Sequence, residues 1–357
     1  MRGVVFTGGR ELALMDFPDP TPGPGEVVVE IKASGMCGSD LGPYRAARGG
    51  ASAALGLGAA AGPVIAGHEP CGVIAALGPD LGPGVAPREA PPAWALGARV
   101  MVHHYRGCGL CPHCRTGWTQ MCDAGATVFG ITGHGGHAPF MKVPASTLVA
   151  LPNSLSFAAG AAISCGTGTA YGALRRIRLS GHDTIAIFGQ GPVGLSATQL
   201  ARAMGARVIA FDPSPDRLAR AQDFGAETAL DPRANDPAQA VRELTHGRGA
   251  DLALDASGTA EGRSAAVRAT GKWGTVCFVG EGGKVSIDVS PEMLRKQLTI
   301  VASWTFSTAG QAECARFVAE RAIPLDGLFT NRWSLDQAAE AYRLFDQQQN
   351  GKGVFLM

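Results

Sequence analysis

Net charge is almost missing from this chain: 31 Lys and Arg stand against 30 Asp and Glu, leaving +1 with the histidines neutral. No whole-molecule field would draw in nucleic acid or an anionic membrane, so neither is expected as a partner. Charged residues make up only 17% while hydrophobic ones reach 46%, which excludes disorder and leaves ample material for packed cores. Long apolar runs are lacking too. The stretch 51–67 comes nearest, but Gly, Ser and Pro interrupt it and it falls short of the roughly 20 apolar residues of a membrane span. The opening segment, MRGVVFTGGRELALMDFPDP, has no apolar core of about 7–15 residues before a small-residue cleavage site, so no secretory signal is read and a cytoplasmic location is expected. Aromatics are scarce, at 6%, and inform little about a site.

Glycine is abundant, at 50 of 357 residues, without the three-residue repeat of collagen, and much of it should serve tight turns. At about 150 residues per domain the length predicts two domains. The first third is β-rich, with β-branched runs at 25–33, 71–76 and 99–103 bounded by Gly and Pro. From Asp183 the rhythm becomes strand, helix, strand: TIAIF, an apolar-periodic stretch from Val193 to Met204, RVIAF, DRLARAQDF, DLALDA and TVCFVG. Such alternation predicts a parallel sheet. A strand-like run at 298–304, helix-like segments at 311–320 and 335–347, and a final strand-like GVFLM follow, and the tail can return to the first domain. Segments near 45–63 and 82–96 look inserted, their Gly, Ala and Pro favouring surface loops.

Nine cysteines, an odd number in a chain of this size, point away from a disulfide framework and towards metal ligation or buried thiols. Four of them, Cys108, Cys111, Cys114 and Cys122, form C-x2-C-x2-C-x7-C. Four close thiolates suit a closed tetrahedral zinc site with no position left for water, which reads as structural metal. An iron–sulfur cluster and free thiols are the alternatives; the x7 gap and the missing proline after Cys122 fit the cluster less well. His113, between the ligands, reads as a solvent-facing bystander. Cys71, Cys277 and Cys314 lie in apolar settings and read as small core residues.

FGQGPVG places Gly189, Gly191, Pro192, Val193 and Gly194 directly after TIAIF and before a helical pattern. A triple-glycine match alone is weak, but the strand before, the helix after and Asp212 at the end of RVIAFD supply the context of a dinucleotide site. The glycines let backbone approach pyrophosphate at a positive helix end, and Asp212 can hold ribose hydroxyls while repelling a 2′-phosphate, which favours NAD over NADP. Arg217 lies near enough to complicate that choice, though it also reads as a solvated helix residue.

Three further residues, Cys37 in SGMCGSD, His68 in AGHEPCG and Cys165 in SCGTGTAYG, are too scattered for spacing to nominate them. Together with the four-cysteine cluster, FGQGPVGL and DASG, however, these motifs follow one another in the order found in the zinc-dependent medium-chain alcohol and polyol dehydrogenases, which the chain resembles over essentially its full length. The resemblance implies an α/β fold: a GroES-like β-rich catalytic domain, residues 1–152 and 292–357, and a Rossmann domain with a doubly wound parallel sheet, residues 153–291. It implies two zinc ions per chain, one catalytic on Cys37, His68 and Cys165 and one structural on the four-cysteine cluster, and it makes Glu69 an occasional or neighbouring ligand of the first. Asp40 matches the carboxylate that fixes the histidine tautomer, Ser39 the hydroxyl that passes the alcohol proton outward, Thr169 a nicotinamide contact, and Gly258 a glycine where the cofactor runs past a strand end.

The implied activity is reversible hydride transfer between a primary or secondary alcohol and NAD, with a small alcohol or carbonyl as the only partner besides a homodimer or homotetramer. Polyol or amino-alcohol oxidation is the second reading, and a non-catalytic dinucleotide sensor a minor third. Many members of the family carry a histidine shortly after the CGSD motif to finish the proton relay; this chain has Leu41, Gly42 and Pro43 there, so the relay is expected to end in water, in the cofactor ribose or in a group such as Tyr44. The substrate pocket is expected to draw on the stretch after Cys37, on Trp94 or Trp118, and on SWTFS at 303–307, while VCFVG or LTIVASW can supply a pairing sheet edge.

Overall fold

A computed structural model describes residues 1–48, 50, 62–81, 94–347 and 351–357. The insertions expected near 45–63 and 82–96 lie largely outside the described residues.

The long strand Glu26–Gly35 is the spine of a seven-stranded sheet. Its β-branched run lets Val27, Val29 and Ile31 pack with Ile74, Val100, Val102, Met141 and Val143 in one apolar cluster. Pro70–Leu77 pairs antiparallel along one side, followed by Arg99–Val102 and Leu148–Ala150. Lys352–Leu356 pairs antiparallel with the far end of the spine, Val354 opposite Gly35 and Leu356 opposite Ala33. The tail therefore returns to the first sheet.

Thr184–Phe188 is buried at every position and is the first strand of a six-stranded, wholly parallel sheet whose spatial order, in chain-order numbers, is 3-2-1-4-5-6. Continuous apolar strands are what a parallel sheet covered by helices on both faces requires. The order reverses between Thr184–Phe188 and Ala250–Asp255, the switch point beyond whose strand ends ligands bind. The sixth strand, Thr299–Ala302, pairs in parallel with Thr275–Phe278. A domain boundary at 291/292 thus cuts this sheet, a correction to the sequence reading. A short β-branched run looks the same in either sheet, and only its pairing partner decides.

Two Ala- and Gly-rich helices, Phe157–Ile163 and Gly166–Arg176, link the sheets. Ala158 to Ile163 pack with Ala33, Cys71 and Met101 of the first sheet in a cluster that continues into Ile185 and Leu195 of the second. Gly166–Arg176 is tied to the helix Pro192–Ala203 by the 2.9 Å hydrogen bond between the Thr167 and Ser196 hydroxyls. Cys71, Cys277 and Cys314 are fully buried, as expected of core residues. No helix among the described residues is long and apolar enough to cross a membrane.

Candidate active site

Strand register brings the scattered residues together. Ser34 lies opposite Pro70 and the Gly35 amide donates to the Glu69 carbonyl, so the turn carrying Cys37 sits beside His68 and Glu69. Cys165 arrives from the start of Gly166–Arg176. One donor atom from each of Cys37, His68, Glu69 and Cys165 lies within 4.8 Å of all the others. The two sulfurs are 3.9 Å apart. The Cys37 thiol is held well below its ordinary pKa, first by the hydrogen bond from Cys165 and then by His68, while Cys165 is pushed up by the same bond and by burial. Two thiols poised to share one proton, with an imidazole beside them, are a donor set that fits a zinc ion with an open fourth position.

His68 is fixed from behind. Its Nδ1 lies 2.9 Å from Asp40 Oδ1, leaving Nε2 facing the thiols. Burial opposes charge on this ring, but Asp40 and then Cys37 outweigh it and raise the pKa well above the usual value. Asp40 Oδ2 accepts from the Cys37 amide at 2.8 Å and from the Tyr342 hydroxyl at 3.0 Å. His137 Nε2 meets that hydroxyl at 2.8 Å and its Nδ1 meets Ser34 Oγ at 2.7 Å. Since Tyr342 donates to a carboxylate, its oxygen accepts from His137 and Ser34 donates in turn, a directed chain of buried groups. Glu69 is held by Lys352 Nζ, which lies 2.7 Å from Oε1 and also donates to the Met36 carbonyl at 3.0 Å. Burial pushes the Glu69 carboxyl up to about 8 even so.

Ser39 Oγ lies 3.1 Å from His68 Nε2 and 3.3 Å from Cys37 Sγ, on the reactive side of the cluster. Tyr44 does not continue from it. Its ring packs on Phe6 and Tyr342, with centroids 6.1 and 5.6 Å away.

The four-cysteine cluster forms a separate lobe, again with one sulfur from each of Cys108, Cys111, Cys114 and Cys122 within 4.8 Å of the others. Backbone amides point at the sulfurs: Cys108 N at Cys122, Leu110 N and Cys111 N at Cys108, and Cys114 N at Cys111. Those amides bring the Cys108 thiol down to about 6, as thiolate ligation requires. A β-carbon at Gly107 would sit 2.4 Å from Cys114 Sγ, so the loop can close only on glycine. The His113 side chain is 50% exposed, consistent with a bystander.

In the glycine loop, Gly189 adopts φ +86° and a β-carbon at Gly194 would lie 1.8 Å from the Gly189 carbonyl oxygen. Gly191, by contrast, faces open space directly before Pro192, the first residue of a helix whose free amides carry partial positive charge. This cradle fits a pyrophosphate. Asp212 directly follows the next strand, Arg207–Phe211, its carboxylate accepting from Gln190 N at 2.7 Å and Ser214 N at 2.9 Å, with Arg217 Nη1 3.8 Å away. Gly258, φ +69°, closes the strand Ala250–Asp255 against the Glu281 carbonyl. Thr169 lies one helical turn beyond Cys165, its amide donating to the Cys165 carbonyl. The two constellations meet at Gly166: a β-carbon there would lie 3.9 Å from Val193 Cγ2 and 4.0 Å from both Glu69 Oε1 and Lys352 Nζ.

Of the residues expected to line a pocket, Trp94 instead packs on the first sheet's apolar cluster. Trp304 does face this region, stacked edge-on against Tyr105 with centroids 5.7 Å apart. Sequence reasoning passed over Lys352, Tyr342, His137 and His104, because nothing in their local sequence distinguishes them from core residues.

Comparison with known proteins follows the same lines. Residues 192–321 match the zinc-binding dehydrogenase family and residues 23–153 the alcohol dehydrogenase GroES-like domain. The uncharacterized zinc-type alcohol dehydrogenase-like protein YphC of Escherichia coli strain K12 is 38% identical over 361 residues, covering 99% of this chain and 98% of its own. L-galactonate-5-dehydrogenase of the same strain is 29% identical, covering 99% and 98%. The structure of alcohol dehydrogenase TADH from Thermus sp. ATN1 superposes with a TM-score of 0.85 at 28% identity, covering 100% of this chain and 99% of that one.

Proposed function

The chain belongs to the zinc-dependent medium-chain alcohol dehydrogenase family of oxidoreductases, and on that premise we propose that it transfers a hydride reversibly between a primary or secondary alcohol and NAD, with polyols as the second reading of its substrate. The convergence at Gly166 carries this reading, since it sets the thiol–imidazole cluster against the helix start that would hold the cofactor.

Zinc held by Cys37, His68 and Cys165 would polarise the substrate oxygen and lower the pKa of its hydroxyl, and the nicotinamide would accept the hydride. The rest is done by side chains of the chain itself. Asp40, backed by Tyr342 and His137, keeps His68 in the tautomer that presents Nε2. Lys352 holds the Glu69 carboxylate beside the cluster. The amides after Gly191 would take the pyrophosphate and Asp212 the adenosine ribose hydroxyls, with Arg217 flanking, while Thr169 and Gly258 frame the nicotinamide end. Cys108, Cys111, Cys114 and Cys122 would hold a second, structural zinc.

Initial rates with primary, secondary and polyhydric alcohols, followed by nicotinamide absorbance, test the reading. Oxidation with NAD⁺ is expected to exceed that with NADP⁺ by at least about a hundredfold, because a 2′-phosphate would face the Asp212 carboxylate. Equal rates with both cofactors would remove Asp212 from its proposed role, and no oxidation of any alcohol would remove the activity.

Ser39 would receive the alcohol proton and release it to water or the cofactor ribose, since Leu41, Gly42 and Pro43 offer no acceptor and Tyr44 packs elsewhere. Gly42→His supplies one. Above a pKa of about 6.5 the neutral imidazole can take the proton, so the oxidation rate of the variant should rise through that pH where the wild type shows no such step. A pH profile identical to wild type would show that Ser39 does not pass the proton this way.

Self-association fits the edge strand Thr299–Ala302, which among the described residues is paired on one side only. Trp273 is 77% exposed, Leu294 62% and Val289 56%, an apolar surface that a second copy would cover in a homodimer or within a homotetramer.

A further inference from the structure

The helices Gly166–Arg176 and Pro192–Ala203 begin beside Cys165 and the glycine loop, and their other ends meet the helix Thr308–Glu320 well away from both. Between the three carboxyl ends lies a cleft of about 430 Å³, within the range of small-molecule sites. Tyr171, Arg175 and Leu179 line it from the first helix and the turn after it, Met204 from the end of the second, and Phe317 and Arg321 from the end of the third.

The rings of Tyr171 and Phe317 lie with centroids 5.7 Å apart and tilted by 41°, and the Arg321 guanidinium sits 5.9 Å over the Phe317 ring. Tyr171 is only 7% exposed, yet its hydroxyl has no hydrogen-bond partner among the described residues. Burial raises its pKa, so it stays a phenol with a proton to donate. Neither Arg175 nor Arg321 forms an ion pair or a side-chain hydrogen bond among the described residues, and no carboxylate lines the cleft. Glu313 also acts on Tyr171, but Arg316 acts on it with the opposite sign. An arginine near a helix carboxyl end offsets the negative pole there, which would account for either of the two alone. It does not account for two guanidiniums from different helices lining one cleft, beside a buried phenol and an aromatic ring, with no acid between them.

We propose that this cleft is a binding site, separate from the reaction centre, for a small organic anion with a flat apolar body. Its carboxylate or phosphate pairs with Arg175 and Arg321 and accepts from the Tyr171 hydroxyl, while the body lies against Phe317, Leu179 and Met204. Charge-assisted hydrogen bonds to planar guanidiniums select the anionic group, and the apolar lining selects the body.

Three probes on one ring system test the site: 2-naphthoate, 2-naphthyl phosphate and the uncharged 2-naphthalenemethanol. Each is titrated by calorimetry into the zinc-loaded protein, with and without saturating NADH. At least one anion is expected to bind at a single site per chain about tenfold or more tighter than the alcohol, with or without NADH, and the tighter of the two identifies the anionic group. Arg175→Gln and Arg321→Gln should each weaken that anion about tenfold, and the double variant more, with the alcohol probe and the thermal midpoint unchanged. Equal affinity for anion and alcohol, no binding of either anion at millimolar concentration, displacement of the anion by NADH, or unchanged affinity in the double variant overturns the site. The wild-type comparison of anion with alcohol decides even where a variant is not recovered. None of these outcomes bears on alcohol oxidation, so the site and the activity stand or fall separately.

Discussion

Cys165→Ser is expected to lower kcat/KM by about a thousandfold or more while one zinc of two is lost and the fold is retained. Removing one of the three proposed ligands would forfeit several kcal/mol of electrostatic help to the developing charge, and each 1.4 kcal/mol or so is a factor of ten in rate. Serine is a poor substitute because its hydroxyl does not ionise as a thiol does, and zinc favours sulfur. The backbone should tolerate the change. Cys165 caps the helix Gly166–Arg176 without any side-chain capping bond, and a serine there is a better cap than the cysteine it replaces. Metal analysis, circular dichroism and initial rates on the same preparation read all three quantities. Turnover close to wild type would dissociate Cys165 from the chemistry.

Cys111→Ser should act in the opposite manner, on stability first. The lobe around it is small: a pair of two-residue strands, Tyr105–Arg106 and Thr127–Val128, two short helical turns, Pro112–Arg115 and Thr119–Met121, a buried apolar cluster of Tyr105, Val128 and Ile131, and a few hydrogen bonds such as that from Gln120 Nε2 to the Phe306 carbonyl. A closed four-thiolate site contributes folding free energy outright. Losing it should drop the thermal midpoint by roughly 10 °C, given about 2–4 °C per kcal/mol for a chain of this kind. Because Tyr105 belongs both to that cluster and to the stack with His104 and Trp304, activity should decline as a consequence of the loosened lobe. Differential scanning calorimetry with zinc content checks the prediction, and a midpoint within a degree or two of wild type would mean that the four thiols hold no structural metal.

What the sequence made legible was whatever its chemistry packs into a short span. The four cysteines sit close enough in sequence for their spacing to predict that their sulfurs gather in one lobe, as they do, and TIAIF followed by FGQGPVG states a strand, a turn and a helix start in one line. Cys37, His68 and Cys165 carried no such local signal and came only through a resemblance between ordered motifs. Lys352 is 283 residues from its partner Glu69, and Tyr342 is 302 from Asp40, separations across which no periodicity speaks. The helices Phe157–Ile163 and Gly166–Arg176 were hidden for another reason. Both are short on bulky apolar side chains, Ala and Gly supplying most of their buried positions, so no run of large hydrophobic residues marks them in the sequence. The misplaced boundary at 291/292 shows the same limit, since a strand's own composition does not say which sheet will take it.

The strand Lys352–Leu356 fills the gap between Phe329–Trp333 and Ala33–Gly35 and at the same time brings the Lys352 ammonium to Glu69. Peeling that one strand away would open an edge of the first sheet and strip a buried acid of its partner in a single motion, so local opening of this edge and loss of the charge balance beside the thiols are one event.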